Sequence, residues 1–203
     1  MTRLDELLNQ TYEIVHWTEN CGQVWWLYEG EDTLPQVRSI LERYSYALSV
    51  SKYAFASATI TGIGKLYDKQ WNGQKDSLSL RRLVTEAKRD PRISAECADS
   101  LESALAEAEE LAKPALTIRH KRVAHHGITD DIQAILKEAK LSHGDIQTLL
   151  EQSRSIVEKI ARALGVNYSM GNPAKRYAEM WLRLAELTIS PNQGHAVDGY
   201  RRP

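Results

Sequence analysis

Apolar residues recur along this chain every three or four positions far more often than every two, and that period predicts helices from end to end. The first stretch, residues 2–18, sets Leu4, Leu7, Leu8, Thr11, Ile14, Val15 and Thr18 at helical spacing, with Asp5 and Glu6 near the positive end of the helix dipole. Residues 19–34 carry Gly22, Gly30, an acidic run and the aromatic group Trp25, Trp26 and Tyr28, so a loop or short helix is expected whose rings plug one end of the core. Pro35 suits a first helical turn, and the pattern then continues to Asp68 without another proline, which predicts the longest element of the chain.

Within that element, residues 49–63 are rich in Ala, Ser, Thr and Gly; Ala54, Ala58 and Gly62 share a face that neighbouring helices can approach closely. A polar connection follows over 69–76, and Ser77 or Asp76 can cap a helix over 78–88. Pro91 opens the next helix, whose pattern persists to Val123. Pro114 removes a backbone donor inside it and predicts a kink or a break, and Gly127 stops it. A short helix fits 130–139, and a clearer one starts at Ser142 and passes through Ile146, Leu149, Ile156 and Ile160 to Gly165. A last helix spans 173–187, with Tyr177, Met180, Trp181 and Leu184 on its apolar side. No strand pattern, internal repeat or low-complexity tract is present. The fold class is all-α, a bundle of five to seven helices: one helical domain over 1–189, then a frayed, flexible tail over 190–203.

Composition narrows the function. A chain of 203 residues with 42% apolar content buries one sizeable core and hardly two. A formal net charge of -1 and a pI near 6.6 exclude a protein that coats nucleic acid through its global field, so any such contact is local. Cys21 and Cys97 stand too far apart to suggest a disulfide framework or a CxxC zinc site, and are expected to be small buried thiols in a reducing compartment. No apolar run approaches the roughly 20 residues that span a bilayer. A cytoplasmic protein without a membrane partner is expected.

The chemistry is concentrated in residues 119–126, Arg-His-Lys-Arg-Val-Ala-His-His, which hold three of the chain's six histidines. Histidine exchanges protons near neutrality, and arginine offers a permanent planar cation suited to phosphate. At about 100° per residue, with Ala115 as the centre of the apolar stripe, Arg119 falls about 40°, Arg122 about 20°, His126 about 20° and His125 about 80° away. A face that begins as Leu101, Leu105, Ala108 and Ala112 therefore turns cationic over its last two turns. Unpaired guanidinium on such a face costs several kcal/mol, roughly, so it must meet carboxylates, a solvent-lined cleft, a second subunit or a bound polyanion. Arginines at a helix end also commonly pair with a neighbour's acid and complement the dipole. Adjacent His125 and His126 could hold a metal, but no HExxH or Cys/His spacing supports one, and neither metal nor cofactor is expected.

The segment 118–126 resembles the Rx4-6H signature of the HEPN superfamily of helical proteins, many of which are metal-independent ribonucleases of toxin, antiviral and RNA-processing systems. The match is Arg119, five intervening residues and His125, with His120 after the arginine and Ala124 before the histidine. A second stretch, 63–84, with Lys65, Leu66, Tyr67 and Asp68 closing one helix and Ser77, Leu78, Arg81 and Leu83 opening the next, is similar to the HEPN group associated with bacterial abortive infection. The resemblance covers residues 40–165. It implies a HEPN-like bundle whose kinked long helix carries the motif, and an endoribonuclease acting by 2'-OH attack at a homodimer interface. Arg119, His125 and His120 would be catalytic, with Lys121, Arg122 and His126 binding RNA. An antitoxin or defence-system partner is also implied. Family register favours His125 as the working histidine, whereas helix geometry favours His126. HEPN toxins paired with nucleotidyltransferases carry a Tyr two residues beyond the motif histidine; Gly127 stands here, against control by that route.

Two other functions fit the same residues: a non-catalytic HEPN-type module that binds RNA, a nucleotide or a protein, and a plain helical interaction protein. Arg119 and Arg122 engaged by Asp68, Glu86 or other acids within one subunit would favour the last. Trp25, Trp26 and Trp71 could stack on bases, although aromatic side chains more often fill cores and interfaces.

Overall fold

The structure is a computed structural model that describes residues 2–29, 38, 45–68, 78–124, 140–168, 176, 180 and 183, with the backbone alone at 29, 45–49 and 120–124. Every regular element among the described residues is a helix: α1 (Arg3–Glu29), α2 (Ser45–Tyr67), α3 (Leu80–Arg89), α4 (Ala95–Ala124) and α5 (His143–Ala163). The all-α expectation holds.

Several boundaries differ from those the sequence suggested. The first helix does not end at Thr18 but runs on through the expected loop to Glu29. The stripe Thr11, Val15, Thr18, Gly22, Trp25 simply continues in steps of four and three. Gly22 is tolerated because it faces Leu150 and Thr59, to which a Cβ would lie 3.1 and 3.5 Å away. Trp25, only 1% exposed, is buried against His143 at 4.7 Å between ring centroids, while the more exposed Trp26 meets the same imidazole edge-on at 4.9 Å. Trp25 is thus the ring that plugs the core, and its burial removes it as a base-stacking platform. Trp71 lies outside the described residues.

The α3 cap is Ser79, whose hydroxyl accepts from the Arg82 amide at 3.3 Å, rather than Ser77 or Asp76. Pro91 sits in the turn before α4, and Ser94 accepts from the Cys97 amide at 3.2 Å at the helix start. Of the kink or break expected at Pro114, a break does not occur: α4 continues through it and, at 30 residues, is the longest helix among the described residues. The helix expected over 35–68 is described from Ser45 onward. α5 begins and ends as expected, at a capping box between Ser142 and Asp145 and just before Gly165, which takes a left-handed φ of 70°. The helices expected over 130–139 and 173–187 lie outside the described residues, apart from helical Arg176, Met180 and Arg183.

α1 lies antiparallel to α2 and to α5: Thr18 faces Gly62 while Gly22 faces Thr59, and Glu19 meets Arg154 while Trp25 meets His143. α4 packs on α2, α3 and α5. The core between them includes Leu8, Trp25, Ile60, Ile63, Leu101 and Ile156, each nearly or wholly inaccessible. The two cysteines are free; Cys21 is buried, which pushes its thiol up to about 11, and Cys97 is half-buried.

Close approach occurs where glycine allows it. Ala54 is exposed, so that part of the expected small-residue face stays uncovered. At Gly62, by contrast, a Cβ would sit 2.7 Å from Thr18 Cγ2, 2.9 Å from its Cβ and nearer still to Oγ1. Thr18 is held in place because its hydroxyl donates to the Ile14 carbonyl at 2.6 Å. Gly62→Ala is therefore expected to lower stability by about 1–3 kcal/mol through overpacking, even though alanine is the better helix former. Urea denaturation measures this, and adding Thr18→Ala, which removes the two nearest groups, is expected to restore part of the loss.

Polar contacts tie α5 to the bundle, among them Tyr67 with Ser153 and Glu19 with Arg154. The Tyr67 hydroxyl lies 2.7 Å from Ser153 Oγ, which donates to the Leu149 carbonyl at 2.8 Å. Burial raises the Tyr67 phenol far above its ordinary value, so it stays a neutral donor. Arg154 directs Nε and Nη2 to one oxygen of Glu19, at 2.8 and 2.6 Å, and the second oxygen of this buried carboxylate has no hydrogen-bond partner.

Candidate functional site

The buried stripe on α4 is Leu101, Leu105, Ala108, Ala112, Ala115 and Ile118, and the next residue along it is Arg119. The helical period thus delivers a guanidinium to the rim of the core, where its side chain is 20% exposed. It reaches across to the end of α2, and Nη2 donates to Asp68 Oδ2 at 2.9 Å. The acid itself is 33% exposed, so the pair lies at a boundary and not in the interior.

The end of α2 is shaped for this contact. Tyr67, immediately before Asp68, is pinned to α5 through Ser153. One turn earlier, Gly64 lies directly beneath the arginine: a Cβ there would sit 2.9 Å from Nη1 and 3.2 Å from Nε, and closer to Cδ. Glycine in a helix interior is unfavourable by about 1 kcal/mol relative to alanine, and here the missing Cβ makes room for the Arg119 side chain. Nearer the start of α4, Arg81 of α3 grips Glu109 as a two-pronged pair, Nε to Oε1 at 2.7 Å and Nη2 to Oε2, and Lys88 meets Glu102 at 2.8 Å. These contacts join α4 to α3 about three to five turns before Arg119. Gly64 was not apparent as part of the site from the sequence; the signal available was a glycine four residues before Asp68, hence on one helix face with it.

The family model HEPN_AbiU2, described as AbiU2, matches residues 1–183. The chain belongs to the AbiU2 family of HEPN domains. This abortive-infection-associated family covers more of the chain than the 40–165 over which the resemblance was carried by individual residues. No curated protein and no solved structure matches it.

Of the six site residues expected in this AbiU2 family member, Arg119 is described in full and is engaged by Asp68, one of the acids named beforehand. His120, Lys121 and Arg122 continue α4, with only their backbone described, and His125 and His126 lie outside the described residues. Among the described residues no group of three or more His, Cys, Asp or Glu could hold a metal ion, and no helix is long and apolar enough to cross a membrane.

Proposed function

We propose that this AbiU2-family chain is a metal-independent RNA endonuclease, and the observation that carries it is the position of Arg119. A cation ends a buried apolar stripe, at the rim of the core, six residues before His125, in a chain of an abortive-infection HEPN family. In this reaction the ribose 2'-oxygen gives up its proton and attacks the adjacent phosphorus. The bond from phosphorus to the 5'-oxygen breaks and that oxygen takes a proton, leaving a 2',3'-cyclic phosphate and a 5'-hydroxyl. His125 serves as general base or acid or orients the 2'-OH, Arg119 stabilises charge on the nonbridging oxygens, and His120 holds the geometry. Lys121, Arg122 and His126 position the RNA backbone. Two copies bring their motifs together across a homodimer, and an antitoxin or another defence component is the natural regulator.

The Arg119–Asp68 contact favours a second function, a helical interaction protein whose arginine serves only the fold. It is a single hydrogen bond from one nitrogen of a guanidinium with five N–H donors, to an acid that is itself one-third exposed. Such a pair contributes about 1 kcal/mol or less to stability, which is a weak reason to hold an arginine there. The decisive experiment incubates the purified chain with single-stranded RNA in EDTA. Cleavage is expected with cyclic-phosphate ends, and 2'-deoxy substitution at the cut site should block it. Intact RNA at high protein concentration rules the nuclease out, and a gel shift without cleavage points to a binding module.

A further inference from the structure

We propose that Asp68 and Gly64 are positioning residues for Arg119, setting the direction and depth of its guanidinium before RNA arrives; this rests on the ribonuclease function above. Arginine has a long and flexible side chain, and a group that stabilises developing charge acts best when its orientation is fixed in advance. The end of α2 supplies two separate constraints. Asp68 draws Nη2 to one side at 2.9 Å. Gly64 leaves a bare patch of helix along which the side chain lies, close enough that any Cβ would displace Cδ and Nη1.

The two constraints belong to one rigid support. Gly64 and Asp68 are four residues apart on the same face, and the turn that carries them is anchored by the buried Tyr67 hydroxyl at Ser153. Nothing in α2 itself calls for glycine at 64, which is buried inside a continuous helix where alanine would be the stronger helix former. An ion pair serving stability alone has no need of that clearance. Asp68 also leaves the arginine its positive charge while occupying one nitrogen, so a phosphate can be received by the remainder of the planar group.

The test uses the full chain as wild type, Asp68→Asn, Asp68→Glu and Gly64→Ala. It reads kcat and KM on a single-stranded RNA oligonucleotide in EDTA, thermal unfolding, and the Arg119 Nε–H resonance, assigned by its loss in Arg119→Lys. A displacement of about 1 Å at a reacting group costs on the order of 100-fold, so Gly64→Ala and Asp68→Asn are expected to lower kcat by about that factor with KM nearly unchanged. Both variants stay folded, the Arg119 resonance moves toward that of a free side chain, and Asp68→Glu recovers part of the rate. Wild-type kcat in both Asp68→Asn and Gly64→Ala, or an unmoved Arg119 resonance, overturns the proposal. A wild type that cleaves no RNA while Asp68→Asn still shifts the resonance is distinguishable from either. That outcome removes the ribonuclease function and the positioning role with it, and reduces the contact to a structural strut.

Discussion

Arg119→Ala is expected to reduce RNA cleavage by roughly 100- to 1,000-fold, the usual loss when one preorganised donor to a developing oxyanion is removed. The same substitution should cost little in stability. It deletes one partly exposed hydrogen bond and leaves Asp68, one-third exposed, within reach of water, so the loss is expected to be about 1 kcal/mol. The separation of the two effects is the point of the measurement. An arginine that only braces α4 against α2 would show a stability change with a proportionate loss of activity, whereas a catalytic one shows a dead enzyme that melts almost normally. Single-turnover cleavage and thermal unfolding on the same preparation read both quantities. Combining it with His125→Ala should add far less than a second factor of the same size, because residues acting as one unit are strongly non-additive.

The second large effect is expected at the contact between α1 and α5, in Arg154→Ala. Glu19 is almost completely buried and its charge is compensated by Arg154 alone among the hydrogen bonds described, both contacts falling on Oε1. Burial raises the Glu19 carboxyl above its ordinary 4.5, against the opposing pull of the arginine. Without that pull the cheapest response is to take up a proton. Holding a carboxyl of ordinary value 4.5 protonated at about pH 7 costs roughly 3.4 kcal/mol, at about 1.36 kcal/mol per unit, and this bounds the loss near 3 kcal/mol. The sign of the pH dependence follows. Between 4.5 and the raised value the folded chain binds a proton that the unfolded chain does not, so stability falls as pH rises through that window. The variant widens the window upward. Its deficit against wild type is expected to be largest near about pH 7 and to shrink on acidification toward about pH 5, as followed by urea denaturation. A deficit that stays constant over that range would mean that Glu19 remains ionised in both proteins.

Much of this architecture was legible in the residues. The helical period located the elements and carried the buried stripe of α4 to Arg119, whose side chain closes it at 20% exposure. Ser142, with Asp145 three residues on, marked the start of α5, and Gly165 its end. Less legible were choices that only tertiary contact makes. Gly22 looks like a stop until Leu150 and Thr59 are placed beside it. Asp76, Ser77 and Ser79 are equivalent capping residues by local chemistry, and the complete burial of Leu80 accompanies the choice of Ser79. Pro91 and Ser94 competed in the same way, and the hydroxyl that could accept from an amide three residues on prevailed. Glu19 and Arg154 stand 135 residues apart, and no periodicity links them. At the site, the arginine and its acid could be anticipated, but the clearance at Gly64 could not, because an absent side chain acquires meaning only from the group that fills the space.

Pro114 gives the arginine a mechanical setting. Lacking an N–H, it takes one backbone hydrogen bond out of α4, and it lies five residues before Arg119. At about 1.5 Å per residue that is an arm of about 7.5 Å, and a bend of only about 10° at the joint carries its tip through about 1.3 Å. A hydrogen bond of 2.9 Å does not survive a stretch of that size. Ala115 and Ile118, buried on that arm, seat it on the core, so the carboxylate of Asp68 is met at a fixed distance from the joint.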